Sequence, residues 1–401
     1  MMLIVPHFYP IFTNRLVEAD TDGTIIPSLA HHWKMNDQKL HLYLRKNVTF
    51  HNGDLLTAKD VIWCLHQLLY LPLWKPIQEI IIVDMWSIDI IILSESCTYM
   101  LYLLTDIQSS IYKTVDNIVY GTGSFAISTY TSNQIVLKAH DNYFGMQALL
   151  QTVELNLLPK SLNSFFQTNF STSIHHKKMN IQNGICAIIL NKNTVVCSTK
   201  TKRQHIKNII HKHLYTFLQK DPSLENHLSN FSSSISPLCT NENLKIAVSK
   251  GKNNLNQHLV SSLKQYGYQL QVDTLTLSQY IKYSLQQQLK YDVLVYTNVV
   301  SIPTAFNKLQ AMFSPDSPIY KVCKDDIYFN NMLNQFKCAS KLEWPLLYDA
   351  LNDYLIEEAI LIPLFTHLDD IPFAHDILEL NFNSLGCIDF STIWYGKEEF
   401  S

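Results

Sequence analysis

The sequence predicts an α/β protein built from more than one domain. Its 401 residues suggest two or three domains. Apolar residues make up 47% and charged residues 16% of the chain, so a sizeable core is available and disorder is not expected. Residues 244–296 alternate strand and helix patterns in the order β-α-β-α-β, which indicates a parallel sheet.

The first clear elements are a strand, a turn and a capped helix. Residues 40–44 alternate leucine with polar residues, which is the period of a half-buried strand. A glycine-containing turn follows at 51–54. Thr57 then lies three residues before Asp60, a capping-box pattern, and apolar residues at helical spacing over 61–69 predict the helix behind it.

Short strands fill the next part of the chain. Apolar, β-branched runs at 80–83 and 88–93 predict a strand pair, and 99–104 predicts a short helix. A hairpin is predicted from 125–130 and 135–139. The Gly-Thr-Gly sequence just before this hairpin does not predict a dinucleotide site, because the third glycine is absent and a strand follows.

The second half carries the pattern of the parallel sheet. Strand and helix patterns alternate at 244–248, 254–266, 268–272, 277–289 and 291–296. Gly267 follows the first of these helices and is predicted as its C′ residue. An amphipathic helix is predicted at 341–359.

Composition excludes several classes of protein. A net charge of −3 argues against a dominant nucleic-acid surface. The eight cysteines form no CxxC pair, which indicates free thiols in a reducing compartment. The N-terminus lacks a basic region, and Pro6 and Pro10 interrupt its apolar stretch, so it does not predict a secretion signal. No run of 18 apolar residues predicts a membrane span.

No sequence motif predicts catalysis, a metal or a cofactor. GxSxG, Walker A and HExxH sequences are absent. The adjacent histidine pairs at 31–32 and 175–176 cannot face one ion together on a regular element. The paired acids at 325–326, 357–358 and 369–370 are interpreted as solvated faces or helix ends. We therefore expect a protein that is not an enzyme and holds no cofactor.

A basic cluster lies in one predicted helix. It consists of Lys200, Lys202, Arg203, Lys207 and Lys212. No helix-turn-helix pattern accompanies it, so it is interpreted as a solvated helix face rather than as a DNA-reading surface.

A long ordered motif begins at Asp22. Its residues are Asp22-Gly23, Pro27, Leu29-Ala30, Trp33, Leu44-Arg45, Val48, Phe50-His51, Gly53, Thr57-Ala58 and Asp60-Val61. This order resembles the signature of the family 5 extracellular solute-binding proteins, the peptide- and nickel-binding receptors of ABC importers. Gly121-Thr122-Gly123 resembles the family's "GTGPY", with Ser124 in place of the proline, and 141–145 resembles its "N-x-x-YW/F-G".

The resemblance implies a periplasmic-binding-protein-like fold of class II, with two α/β lobes and a small extra subdomain on lobe one. Lobe one would hold 1–185, with the inserted subdomain at about 48–120, and lobe two 186–362. Residues 363–401 would return to lobe one. A helix and loop would occupy 11–22. The family's first strand would precede them, and only ten residues remain for it, so lobe one is expected to lack that strand and to expose a sheet edge.

Several details resemble one branch of the family, the SgrR-type transcriptional regulators. They are Leu29–Trp33, Leu71–Leu73, Asp141–Gly145 and Leu385–Phe390 with Trp394. These regulators join a DNA-binding domain to a solute-binding domain that senses a metabolite. The resemblance implies the sensing part of such a regulator without its DNA-binding domain, located in the cytoplasm.

An importer component stays open as the alternative. In that case the chain would be the receptor of an oligopeptide or nickel ABC transporter, on the extracellular side if an export signal is missing. The corresponding partners are a small-molecule ligand, together with a DNA-binding partner or a transporter permease. Neither membrane insertion nor direct specific binding of nucleic acid is expected.

The ligand is expected in the cleft between the lobes, and closure is the expected response. The expected ligand-binding residues are Thr13, Asn14, Gly121, Gly123, Asn191, Thr297 and Asn298. Peptide receptors of the family hold the peptide amine with an aspartate after the strand that ends here near Tyr296, and residues 297–304 carry no acid. A buried ammonium without a partner is costly, which argues against a free oligopeptide. The ligand's identity stays open, with a peptide or a sugar phosphate as candidates.

Overall fold

The chain forms two compact units in a computed structural model. The described residues are 9–20, 23–36, 38–93, 97–156, 175–221, 224–229, 233–236, 242–250, 253–276, 279–280, 283, 286, 289–298, 304–373, 377, 381 and 388–394. The first unit is Met1–Lys178 with Asp370–Ser401, and the second is Met179–Asp369. The lobe limits expected from the sequence are 185/186 and 362/363, whereas the two compact units meet at 178/179 and 369/370. The expected lobe limits stay a prediction.

The first unit is made of short antiparallel sheets. Its helices are α1 (Tyr9–Phe12), α2 (Ala58–His66) and α3 (Cys97–Leu103). Its strands are β1 (Val17–Ala19), β2 (Ile25–Pro27), β3 (Ala30–Asn36), β4 (Lys39–Leu44), β5 (Ile77–Asp84), β6 (Ser87–Ile92), β7 (Lys113–Val115), β8 (Ile118–Tyr120), β9 (Phe125–Tyr130), β10 (Gln134–Ala139) and β11 (Thr152–Asn156). They form sheets in the orders β1-β2, β3-β4-β6-β5, β7-β8 and β11-β10-β9.

The four-stranded sheet follows from the alternation in β4. Leu40, Leu42 and Leu44 are buried, whereas the residues between them are partly exposed, so the predicted half-buried strand is confirmed. The sheet joins β3 and β4 to β5 and β6. Along the sequence, two strands of this sheet precede residue 48, the expected start of the inserted subdomain, and two follow it.

Helix α2 begins at the predicted capping box. The Asp60 carboxylate accepts hydrogen bonds from the Thr57 backbone N–H at 2.8 Å and from its hydroxyl at 2.7 Å. These bonds satisfy polar groups at a helix start, which otherwise lack intrahelical partners. The apolar side of α2, including Val61 and Leu65, is buried.

Two short hairpins were not predicted. The pair β1–β2 lies where a helix and loop were expected over 11–22, so that expectation is wrong at 17–19. The pair β7–β8 is joined by Asp116 and Asn117, with φ of 50° and 63°. Positive φ at both central residues is typical of a type I′ hairpin turn, which favours Asn, Asp and Gly.

The second unit is a six-stranded mixed sheet with helices. Its strands are β12 (His175–Leu190), β13 (Leu224–Asn226), β14 (Asn243–Ser249), β15 (Gln269–Leu275), β16 (Val293–Asn298) and β17 (Leu361–Phe373), in the order β13-β17-β12-β16-β14-β15. Its helices are α4 (Lys200–Leu218), α5 (Asn253–Gln265), α6 (Ala305–Phe313), α7 (Pro318–Cys323), α8 (Ile327–Cys338) and α9 (Trp344–Glu357).

The predicted parallel pairing is confirmed on one side of this sheet, up to its edge strand β15. Strand β14 pairs in parallel with both β15 and β16. Strand β12 pairs with β16 in the antiparallel sense. Buried apolar side chains of α4 and α5 belong to one core cluster with those of the sheet, for example Ile206, Leu259 and Ile246.

Gly267 ends α5 as predicted, with φ of 94°. The Tyr268 N–H donates to the Leu263 carbonyl at 3.4 Å, the long-range bond of a Schellman motif. Most of the helix predicted at 277–289, and the segment 299–303, lie outside the described residues. Among the described residues, no helix combines the length and the apolar character needed to cross a membrane.

Candidate functional site

Four of the residues expected to bind ligand lie together in the first unit. The Gly123 N–H donates to the Phe12 carbonyl at 3.0 Å, and the Asn14 N–H donates to the Thr122 hydroxyl at 3.2 Å. Thr13 and Asn14 are buried. The structure therefore brings residues 13–14 and 121–123 into one cluster, which we call the Asn14 cluster.

The two glycines allow this close approach. A Cβ atom added to Gly121 would lie 1.8 Å from the Phe12 carbonyl oxygen. One added to Gly123 would lie 2.3 Å from the Ile11 carbonyl oxygen. Real Cβ atoms do not come so near to backbone oxygens, so no other residue fits without a backbone shift. Packing of the loop against residues 11–12 is thus sufficient reason for both glycines.

Asn14 connects the glycine loop to Tyr143. Its Oδ1 accepts a hydrogen bond from the Thr122 hydroxyl at 3.2 Å, and its Nδ2 donates to the Tyr143 hydroxyl at 3.2 Å. Burial raises the pKa of Tyr143 to about 12, so the phenol keeps its proton at neutral pH. The cluster therefore presents a protonated phenol in a fixed position.

Two histidines complete the Asn14 cluster. The Gly121 N–H donates to Nδ1 of His51 at 3.3 Å, which leaves the ring proton on Nε2, and this atom donates to the Gly123 carbonyl at 3.0 Å. Nδ1 of His140 donates to the same carbonyl at 3.2 Å. The ring centroids of His51 and His140 are 4.9 Å apart. Burial lowers the pKa of His51 to about 4 and also lowers the pKa of His140, so both are neutral at pH 7.

In the second unit, Asn191 has a structural role. Its Nδ2 donates to the carbonyls of Leu289 and Tyr291 at 3.2 and 3.1 Å. Its Oδ1 accepts from the Asn193 N–H at 3.2 Å. The side chain is buried, and both of its polar atoms hold loops in place.

Thr297 and Asn298 lie at the other end of the same strand pair. Residue 298 pairs with Ile185 at one end of the β12–β16 ladder, whereas Leu190, next to Asn191, pairs with Val293 at the other. At 3.4 Å per residue, the six steps from Ile185 to Asn191 span roughly 20 Å. The structure therefore does not bring Asn191 together with Thr297 and Asn298.

The basic cluster of α4 is bound within the protein. Lys200 pairs with Glu358 and Lys202 with Glu242, each at 2.8 Å. Arg203 is buried and donates to the Glu358 backbone carbonyl at 2.8 Å. Lys207 donates to the Ile356 carbonyl at 2.7 Å. The bonds of Lys200, Arg203 and Lys207 lie at the C-terminal end of α9, where free carbonyls and the helix dipole favour cations.

No group of three or more His, Cys, Asp or Glu side chains in the described part of the chain is arranged to hold a metal ion. The adjacent pair His31-His32 is exposed, and both rings lie near Tyr43, with centroid distances of 6.4 and 5.5 Å.

Comparison with known proteins identifies the first unit. The family described as "Bacterial extracellular solute-binding proteins, family 5 Middle" matches residues 24–168. Residues 24–168 are therefore similar to the family 5 solute-binding proteins. The expected resemblance is therefore confirmed, on the stretch that contains most of the Asn14 cluster.

Relatives extend the match beyond the family 5 stretch. "HTH-type transcriptional regulator SgrR" of Pectobacterium atrosepticum is 23% identical over 420 residues, covering 97% of this chain and 73% of that protein. The protein of the same name in Salmonella typhi is 32% identical over 157 residues, which is 37% of this chain and 28% of that protein. The predicted resemblance to the SgrR-type regulators is therefore confirmed.

Solved structures confirm the family 5 fold. The periplasmic binding protein DppA of Helicobacter pylori, in complex with peptide STSA, aligns with a TM-score of 0.80 at 16% identity. The alignment covers 97% of this chain and 94% of that one. At this identity the likeness establishes the fold.

Sequence reasoning did not select Thr122, Tyr143 and His51 as candidate site residues. All three stand inside the motifs that resemble the family 5 patterns. Nothing in their local sequence shows that Asn14 lies beside them, because 108 positions separate Asn14 from Thr122.

Proposed function

We propose that this chain binds a small molecule without transforming it, and that it is the ligand-sensing part of an SgrR-type transcriptional regulator. The observation that carries the proposal is the alignment with such a regulator over 97% of the chain. The family 5 fold supports it, since the family is described as solute-binding. The same relationship supports a cytoplasmic location.

The output of the regulator is proposed to reach DNA through a separate DNA-binding domain or partner. Four of the five residues of the basic cluster are engaged by acids or carbonyls of the second unit. Little of that charge is left for a phosphate backbone, on which nonspecific DNA affinity depends.

The alternative function is the substrate-binding component of an ABC importer. The fold of DppA supports it, but the relatives aligned over nearly the whole chain carry the regulator name. The seven expected ligand-binding residues and the expected closure of the lobes remain part of the proposal. Within this proposal the Asn14 cluster is the best-defined part of the ligand site, because its polar groups hold one another in place by hydrogen bonds.

Ligand-dependent stabilisation tests the proposal. A hexose 6-phosphate and a mixed library of di- to pentapeptides would be titrated by calorimetry and by thermal unfolding. A true ligand at 100 times its Kd adds about 2.7 kcal/mol to the free energy of unfolding. Because no acid follows β16 at residues 299–304, we expect no micromolar binding of free peptides. Micromolar peptide binding would instead support the importer component.

A further inference from the structure

The hydroxyl of Tyr143 is the last group in a chain of oriented hydrogen bonds. The Thr122 hydroxyl donates to Asn14 Oδ1, which fixes the amide so that Nδ2 points at Tyr143. Since the phenol oxygen accepts this bond, its own proton must point elsewhere. No acceptor for that proton is found among the described residues.

The ring of Tyr143 is held as firmly as its hydroxyl. A Cβ atom added to Gly145 would lie 2.8 Å from Cε1 of the tyrosine ring, so the backbone of residue 145 is in close contact with the ring. The neighbouring Phe144 ring lies 4.8 Å away between centroids, and the Arg45 guanidinium lies 5.4 Å from the Phe144 centroid. Because residue 145 and Phe144 fix the ring and Asn14 occupies one side of the hydroxyl, the O–H bond of Tyr143 can point in only a few directions.

We infer that Tyr143 contacts the ligand, donating its hydroxyl proton to an acceptor oxygen of a carboxylate, phosphate or carbonyl group. The inference rests on the proposed function and adds to it a binding residue and the class of group that this residue recognises. A fixed donor without an acceptor among the described residues suits a binding site, because the entropy of ordering the donor is lost before the ligand binds.

Asn14 is a positioning residue in this arrangement. Its amide determines the direction of the bond: while Nδ2 donates to the phenol, the phenol must donate outward. Replacing the amide by a carboxylate would reverse the bond, because an ionised carboxylate only accepts, and Tyr143 would then donate inward.

Three variants test the inference with two probes, a hexose 6-phosphate and the peptide STSA, which represent the two ligand classes that the sequence leaves open. Tyr143→Phe removes the hydroxyl, Asn14→Asp reverses its direction, and Tyr130→Phe removes a hydroxyl from an exposed tyrosine of β9 as the matched control. Kd would be measured by calorimetry for whichever probe binds the wild-type protein. We expect Tyr143→Phe and Asn14→Asp each to weaken binding by about tenfold, the effect of one hydrogen bond to a charged group, and Tyr130→Phe to leave it unchanged.

The outcomes separate the inference from the proposed function. If the wild-type protein binds a probe and both cluster variants bind it within twofold of wild type, Tyr143 meets only solvent and the inference is wrong, while ligand binding by this chain stands. If neither probe binds the wild-type protein, the proposed function fails and the inference fails with it. Thermal unfolding of each variant without ligand shows whether a loss of binding is merely a loss of fold, and Asn14→Asp that unfolds like wild type but does not bind would be the strongest support.

Discussion

At the scale of single residues, His51 of the Asn14 cluster has a pKa that burial lowers to about 4. It accepts from Gly121, donates to Gly123 and stacks edge-on against His140, all as a neutral ring. A second ring proton would face the Gly121 N–H, so protonation breaks this bond and places a charge where burial disfavours it. The geometry of the glycine loop thus depends on an uncharged His51.

Acidification should therefore destabilise the protein. The pKa of His51 falls from 6.5 to about 4 on folding, so between these values the unfolded chain binds a proton that the folded chain does not. Stability then rises with pH across this window, and the contribution present at pH 7 is lost as the pH falls towards 4. The difference corresponds to about 3 kcal/mol. Chemical denaturation between pH 4 and 7 measures it.

The control for this prediction is His51→Gln compared with His66→Gln. Residue 66 is an exposed histidine at the end of α2, so its replacement should leave the pH dependence unchanged. His51→Gln should be less stable at pH 7 but should lose less stability on acidification than wild type. A wild-type slope retained in His51→Gln would show that other groups cause the acid sensitivity.

At the scale of elements, the start of α8 joins several parts of the second unit. Asp326 caps the helix by accepting from the Phe329 N–H at 3.0 Å, and it also accepts from the Tyr354 hydroxyl at 2.7 Å and pairs with Lys192. Burial alone would raise the pKa of Asp326, but these hydrogen bonds hold it below its ordinary value. One carboxylate thus links α8, α9 and the segment after β12.

Removing this carboxylate should cost more than removing an ordinary helix cap. Asp326→Ala leaves Lys192 and the Tyr354 hydroxyl unpaired in a mostly buried place, so we expect a loss of about 3 kcal/mol in the free energy of unfolding. The matched control is Thr199→Ala at the start of α4, where the side chain only accepts from the Lys202 N–H at 3.3 Å, with an expected loss of about 1 kcal/mol. Urea denaturation of both variants gives the comparison, and equal losses would mean that Asp326 acts as a cap alone.

The elements also show what the sequence could predict. Strand β4, helix α2 and the parallel pairs of β14 have strong periodic patterns or caps, and each was predicted. Strands β1 and β7 have three residues each, too few to show a period, and both were missed. Local sequence patterns therefore predict the longer elements. The short hairpins form through pairing between strands, which local patterns do not show.

The candidate site was less predictable than the fold for a related reason. Thr13, Asn14, Gly121 and Gly123 were selected as loop residues near predicted crossings, and the structure does place them together. Asn191 was selected on the same grounds, yet the antiparallel pairing of β12 with β16 puts it at the opposite end from Thr297 and Asn298. Strand direction is set by contacts between distant parts of the chain, which one sequence does not reveal.

At the scale of the whole molecule, the proposed regulatory function requires a route from the ligand to DNA. The chain has a net charge of −3, and the basic residues at the start of α4 are paired with Glu242 and Glu358 or bound to carbonyls. Specific reading of DNA needs an element that enters a groove and presents side chains to base edges. The basic cluster lies in α4. This helix is packed in the core of the second unit through Ile206, Ile210 and Leu214, so it is not free to enter a groove of DNA.

This chain alone should therefore not bind an operator specifically. A gel shift with the DNA upstream of its own gene, against a shuffled sequence of the same composition, makes the comparison. We expect weak retention, equal for the two DNAs, because Lys212 and partly exposed lysines offer only phosphate contacts. That retention should disappear by about 200 mM salt, where phosphate-only binding loses most of its affinity through counterion release. Retention of the upstream DNA alone above that salt concentration would mean that this chain reads bases itself, and the proposed separate DNA-binding partner would then be unnecessary.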